Sequence, residues 1–257
     1  MKKKFSLFLA VVLPLCCKSN WAEARIFDIN NESFAAYFRG NYGPIPPLDA
    51  FQNSSGANVV FDSKFPYNLG AELGLVYATP RVNFRFGLGV LKPPSANGNG
   101  STASGTALYS LSSEISVVTP KIGVEVDIKK WNQSRFFIEG DAGYANLLLR
   151  NSYVFTPAGS AAYNVPDYWE DIRGTTISYE GSVGFETLMT DTTTFVIDAG
   201  YRMMNFTALT QNRDISGGVI GHPAVAKGAP AVNNDGSNRT LNLSNWFAGV
   251  QFRFWIN

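Results

Sequence analysis

Cysteine occurs only twice in the 257 residues, at Cys16 and Cys17, and histidine only once, at His222. Both cysteines fall in an amino-terminal stretch that reads as a signal peptide. Lys2, Lys3 and Lys4 form a basic start, and Phe5 to Leu15 form an apolar run too short to span a bilayer as a helix. Ala22-Glu23-Ala24 then offers the small-x-small form of a cleavage site, so the cut is placed after Ala24. A lipoprotein signal at Cys16 is disfavoured, because Pro14 and Leu15 stand where small residues are wanted. The exported chain, 25–257, therefore has no thiol, and a fold stapled by disulfides is excluded. It also has no run after residue 24 long and apolar enough for a membrane helix. Basic patches are missing too. Of 21 basic and 20 acidic residues the leader removes four lysines and one glutamate, leaving 17 against 19, so no nucleic-acid partner is expected.

What the exported chain does have is alternation. In 67–78, Tyr67, Leu69, Ala71, Leu73, Leu75 and Tyr77 share one parity, and Asn68, Gly70, Glu72 and Gly74 the other. In 81–91, Val82, Phe84, Phe86, Leu88 and Val90 oppose Arg81, Asn83, Arg85, Gly87 and Gly89. Successive side chains of a strand point to opposite faces, so each segment has an apolar face and a face of glycine and charge. Six more segments follow the same rule: 33–42, 108–130, 135–149, 175–189, 194–208 and 240–256. In 108–130 the apolar parity changes, from Ile115 and Val117 to Ile122, Val124, Val126 and Ile128, and a β-bulge at Pro120 is the expected cause.

The connections alternate in length. Those at 79–81, 131–134 and 190–193 are tight, whereas 43–66, 92–107, 150–174 and 209–239 are long and rich in Gly, Asn, Ser and Pro. Short turns on one rim, long loops on the other and an even strand count match a transmembrane barrel with periplasmic turns and extracellular loops. The expected fold is all-β: one eight-stranded antiparallel up-and-down barrel over 25–257. A soluble barrel would turn its apolar face inward. Two features oppose that. Charge and glycine lie at mid-strand positions, suiting a narrow polar lumen. The aromatics Tyr67, Tyr77, Phe136, Tyr144, Phe195, Phe252 and Phe254 stand near strand ends on the apolar face, where interfacial girdles belong.

The closing strand reads Gly249-Val250-Gln251-Phe252-Arg253-Phe254, and the fifth contains Gly140-Asp141-Ala142-Gly143-Tyr144. With the eight-segment pattern, these resemble the small bacterial outer-membrane barrels typified by the OmpA transmembrane domain, OmpX and OmpW. That resemblance implies residence in the bacterial outer membrane among lipid and lipopolysaccharide. It also implies that Gly249, Phe252 and Phe254 act as a signal to the barrel-assembly machinery. The chain departs from the pattern by running on through Trp255-Ile256-Asn257 instead of ending on an aromatic residue.

The lumen face carries Glu72, Glu125, Asp127, Glu139, Asp141, Glu180, Glu186 and Asp198 against Arg39, Arg85, Arg202 and Arg253. The expected role is a structural ion-pair network that plugs the interior. Removing Arg85 or Arg202 is then expected to produce cation-selective openings. A catalytic pair among Glu125, Asp127, Glu139 and Asp141 is disfavoured, because a filled lumen gives no substrate access. His222 in the longest loop is the best candidate for an enzyme, yet the flexible Gly-Gly-Val-Ile-Gly before it argues against a triad. Asn233 to Asn238 lacks the closing glutamate of a calcium loop. No metal, cofactor or enzymatic activity is expected. The leading function is structural or surface interaction through loops that meet a surface ligand. The alternative is a narrow channel or uptake route for small, hydrophobic molecules, as likeness to OmpW implies.

Overall fold

The computed structural model describes residues 29, 33–45, 59–60, 65–164, 166–215, 224–232 and 236–256. The stretch 1–24 read above as a signal peptide, Arg25, His222, Asn233 to Asp235 and Asn257 lie outside the described residues. The elements run β1 (Phe34–Pro44), β2 (Val59–Val60), β3 (Tyr67–Ala78), β4 (Val82–Leu91), β5 (Ala96–Thr102), β6 (Ala107–Lys130) and β7 (Ser134–Phe155). After them come α1 (Pro157–Tyr163), β8 (Tyr168–Thr190), β9 (Thr193–Met203), β10 (Asn205–Phe206), β11 (Leu209–Gln211), β12 (Leu241–Asn242) and β13 (Asn245–Ile256).

Eight of these strands close on themselves. β1 pairs with β3, β3 with β4, β4 with β6, β6 with β7, β7 with β8, β8 with β9 and β9 with β13, all antiparallel. The ring closes where β13 returns to β1, from Phe34 opposite Ile256 to Tyr42 opposite Ala248. Backbone groups in lipid have no water to bond, so a closed ring is the only sheet that can span a bilayer. Each of the eight expected segments supplies one ring strand. Among the described residues no helix is long and apolar enough to cross a membrane.

The pleat sorts the side chains as the alternation requires. Outward residues such as Leu73 (63% exposed) and Ile122 (62%) contrast with inward Arg39 and Glu125, which have no exposed surface. An apolar exterior of this extent would be untenable in water, and in a bilayer it is the lipid-facing band. The girdle aromatics Tyr77, Phe136, Tyr144 and Phe254 all lie outward on this band. Five ring strands have 10 to 12 residues, close to the ~9–11 needed to span a bilayer.

The other three are about twice as long: 24, 22 and 23 residues in β6, β7 and β8. The wall therefore rises well beyond the band on the long-loop side. Two expectations change as a result. The segment 150–174 is mostly strand, not loop; only 156–167 connects β7 to β8, and it carries α1, capped by Thr156, whose hydroxyl oxygen accepts from the Gly159 N–H at 3.1 Å. The ring strand β9 also ends at Met203 instead of 208.

There is also no bulge at Pro120. Leu88 faces Pro120 and Gly89 faces Thr119, with the register on β4 continuous, and on β7 the register is the same before and after the proline. Odd-numbered residues of β6 point inward from Tyr109 to Asp127, on both sides of Pro120. What changes is the chemistry of the two sides. Ile115 and Val117 lie inside, together with Tyr109 and Leu111, while Ser110, Glu114 and Ser116 lie outside. Beyond the lipid band the barrel is apolar within and largely polar without, as a soluble barrel is. Within the ring, the register shifts sit instead near the short-turn rim, between Asp127 and Lys129 and between Leu188 and Thr190; a third, between Gly100 and Ser101, interrupts the pairing of β5 with β6 on the long-loop side.

Lumen-facing glycines mark close approaches. A Cβ on Gly74 would press into the Phe86 carbonyl oxygen and the Tyr37 ring. The alternation alone would make Gly74→Ser a mild change. The structure reverses that: overpacking of this kind costs about 1–3 kcal/mol, so its unfolding midpoint in detergent is expected to fall.

Candidate functional site: the barrel interior

Each of the eleven lumen residues read from the sequence beside Arg39 points inward, and with Arg39 they form a continuous charged column. Nearest the short turns, Arg135 is the fork of the column. It reaches Glu125 at 2.5 Å, Asp127 at 2.6 Å and Glu186 at 2.7 Å. Arg253 meets the same two glutamates, at 2.5 Å to Glu125 and 3.1 Å to Glu186. Thr194 donates to Glu186, and the Trp255 indole N–H reaches Thr194 at 3.0 Å. Glu125 thus lies between Arg135 and Arg253, with Arg85 at 3.7 Å on a third side.

The middle of the column is built on Arg85 and Arg39. Arg85 pairs with Glu139 and lies 3.0 Å from Glu72. Arg39 reaches Asp198 at 2.6 Å and Glu139 at 3.5 Å. Glu72 also accepts from the Tyr37 hydroxyl. Above them, Lys121 bridges Glu72 at 2.8 Å and Glu180 at 2.9 Å, and Arg202 meets Glu180 at 2.6 Å. Asp141 forms no ion pair among the described residues and lies against Gly123, where any Cβ would overlap its carboxylate.

The guanidinium planes rest on inward aromatic rings. Arg135 and Arg253 lie 4.6 and 5.4 Å from the Phe137 centroid, Arg85 4.7 Å from Tyr37, and Arg39 and Arg202 5.0 and 5.2 Å from Phe247. Arginine's flat, weakly hydrated head suits such stacking, and its fork suits carboxylates. A void of about 10 Å³ bounded by Asn41, Glu72, Lys121, Glu180 and Arg202 has room for about one water.

Lys121 and Arg135 are absent from the set the sequence singles out, yet both carry the network. They raise the described lumen cations to six, against eight carboxylates. Parity could have found both. Arg135 is two strand repeats from Glu139, and Lys121 has the parity of Glu125.

The charged column is sealed at both ends by apolar groups. On the long-loop side, Ile115, Val117, Ala145, Leu147, Leu149 and Ile172 of the tall wall pack against Leu91, Phe206, Leu209, Leu241 and Leu243, all buried. A second polar row crosses this stopper: Ser113 donates to Asn151 at 2.7 Å, Asn151 to Glu170 at 3.3 Å, and Arg239 to Glu170 at 3.2 Å. At the short-turn end, Ala35, Val76, Ala78 and Trp255 close round Ile29, whose N–H bonds the Asn132 carbonyl at 3.0 Å.

The remaining sequence candidates are placed as follows. Gly249 faces the lumen, where a Cβ would crowd the Asp198 carboxylate and the Arg39 guanidinium; Phe252 and Phe254 face outward, Phe252 5.4 Å from Phe195. Of Glu125, Asp127, Glu139 and Asp141, the first three are held by arginines. No group of metal ligands occurs among the described residues.

No family model matches the sequence, and no curated protein does. Solved structures do resemble the fold. The outer membrane protein OprG from Pseudomonas aeruginosa is 12% identical, with a TM-score of 0.44 over 88% of this chain and 98% of that one. Ail, the attachment invasion locus protein of Yersinia pestis, is 12% identical, with a TM-score of 0.42 over 87% and 99%. The outer membrane protease OmpT from Escherichia coli is 7% identical, with a TM-score of 0.40 over 90% and 96%. At these identities and scores the likenesses speak to no particular role. The closed, even-numbered antiparallel ring with its apolar exterior is what makes this chain a β-barrel of the bacterial outer-membrane type.

Proposed function

We propose that this outer-membrane barrel is closed to solutes and acts at the cell surface, as a structural or interaction protein whose tall wall and long loops meet a ligand. The observation that carries this reading is the filled interior: six cations interlock with seven of the eight carboxylates along the membrane span, and an apolar stopper lies above them. A conduit for polar solutes would need both obstacles to move. The reading excludes catalysis in the lumen, since every carboxylate of the column but Asp141 is committed to an arginine and the packed interior has no space for a substrate.

Liposome swelling tests it. Proteoliposomes carrying the refolded protein are expected not to swell in isosmotic arabinose. The stopper also revises the expectation for Arg85→Ala. That change removes a countercharge from Glu72 and Glu139 but leaves Leu147, Leu149 and Ile172 in place, so swelling is expected to stay at background. Rapid swelling with the unmodified protein would replace this reading with the channel alternative.

A further inference from the structure

We infer that the lipid-facing wall over β6, β7 and β8 holds one molecule of lipid A, with an acyl chain in a groove at the bilayer midplane and a phosphate on Arg173. The inference rests on the outer-membrane reading above and names a lipid partner for it.

The strand register lays out two outward rows. One is Phe86, Ile122, Ala142 and Tyr179; the next, toward the short turns, is Phe84, Val124, Gly140 and Gly181. Between the aromatic walls lies an apolar groove of about 710 Å³, with Gly140 and Ala142 in its floor. A Cβ on Gly140 would meet nothing within 4 Å, so the hollow belongs to the outside surface and is not demanded by packing within the wall.

Depth and direction come from the same rows. The unbroken outward apolar run of β7 goes from Phe136 to Tyr144 and that of β8 from Ile177 to Phe185; Asn146 and Thr175 end them on the long-loop side, and Ser134 and Thr187 on the other. Gly140 and Gly181 stand at the centres of these spans, which places them at the bilayer midplane. The groove is lined by Phe84, Val124 and Gly140 of that midplane row and by the whole row on its long-loop side, so it lies on the outer-leaflet side of the midplane.

Following β7 and β8 outward, the facing pairs are Tyr144 with Ile177, Asn146 with Thr175, and Leu148 with Arg173. Arg173 is exposed and makes no ion pair among the described residues, whereas the next arginine out, Arg150, is tied to Asp171 at 2.7 Å. Eight residues separate Arg173 from Gly181. That is about 26 Å of strand, or about 20 Å of height at a tilt of about 40°. Half the hydrocarbon core is about 15 Å, so Arg173 lies at the level of a headgroup phosphate while an acyl chain below it reaches the groove. A free guanidinium over an apolar slot is complementary to an anionic amphiphile, and arginine binds phosphate through two parallel hydrogen bonds. In the outer leaflet the phosphorylated, multiply acylated lipid is lipid A.

The test uses the refolded protein in phosphatidylcholine nanodiscs containing a small share of lipid A, with bound lipid counted by native mass spectrometry. One lipid A per barrel is expected to survive in the wild type. Arg173→Ala is expected to weaken retention about tenfold, the size of a lost charge-assisted contact, and Gly140→Phe by a similar factor because its ring occupies the acyl-chain groove. Dephosphorylated lipid A should behave toward the wild type as lipid A does toward Arg173→Ala. Gly40→Phe is the control: Gly40 is also outward with open space beyond it, but on β1, across the ring from β7. Equal retention by all four proteins, equal competition by phosphatidylglycerol, or barrel pairing that Gly140→Phe abolishes would each overturn the inference. Folding in lipid-A-free phosphatidylcholine, read by heat-sensitive gel migration, reports the barrel separately. Loss of lipid retention with folding intact removes only the lipid site.

Discussion

Glu125→Ala is expected to lower the stability of the folded barrel by at least about 3–5 kcal/mol, the usual cost of removing one partner from a buried ion pair. The reason is its position. Arg253 approaches it at 2.5 Å, Arg135 at 2.5 Å and Arg85 at 3.7 Å, and none of the four side chains has more than 1% of its surface exposed. Deleting the carboxylate leaves three guanidinium groups facing one another without solvent. Glu125→Gln keeps the shape but not the charge, and is expected to fare little better. Denaturant midpoints in detergent micelles give the measurement. A shift below about 1 kcal/mol for both variants would mean that water reaches the column and that its pairs behave like surface ones.

Leu73→Arg is expected to cost about 2–4 kcal/mol in a bilayer, the range for arginine on the lipid face near the midplane. Leu73 lies halfway along the outward row of β3, between Phe38 of β1 and Leu88 of β4, with 63% of its surface exposed. The same substitution at an exposed position in water would be almost neutral, so the effect reports lipid rather than packing. Folding yield into phosphatidylcholine vesicles is the readout. Wild-type yield from Leu73→Arg would show that this face does not meet lipid.

Period-two alternation made the ring legible because a membrane strand obeys one rule along its length, apolar outward and polar inward. Where the rule holds, as in 67–78 and 81–91, strand limits and faces agree with the structure to within a residue. It misleads where the strand leaves the lipid. Ile115 and Val117 change parity relative to Ile122 because the solvent changes from hydrocarbon to water, while the backbone runs straight through Pro120. A bulge was the natural reading only on the assumption that the apolar face is always the outer one.

The same assumption hid Lys121, which sits just past the supposed break, and shortened β7 and β8. The polar outward Arg150 and Ser152 and the mixed 168–174 segment read as loop although they belong to continuous strands. Arg135 is hard to read from sequence for another reason, its place one residue into β7 beside a tight turn. Side-chain partnership is a property of the closed ring. Arg253 and Glu125 are 128 residues apart, and nothing local links them.

Single-channel recording of the refolded wild-type protein in a planar bilayer tests the closed interior most directly. With the ionic column at the membrane core and the apolar stopper above it, the trace is expected to stay at the baseline, with at most rare and brief openings, across applied voltages of either sign. Large, steady, weakly selective conductance would contradict the account, because it would require a water-filled lumen where the structure has interlocked side chains.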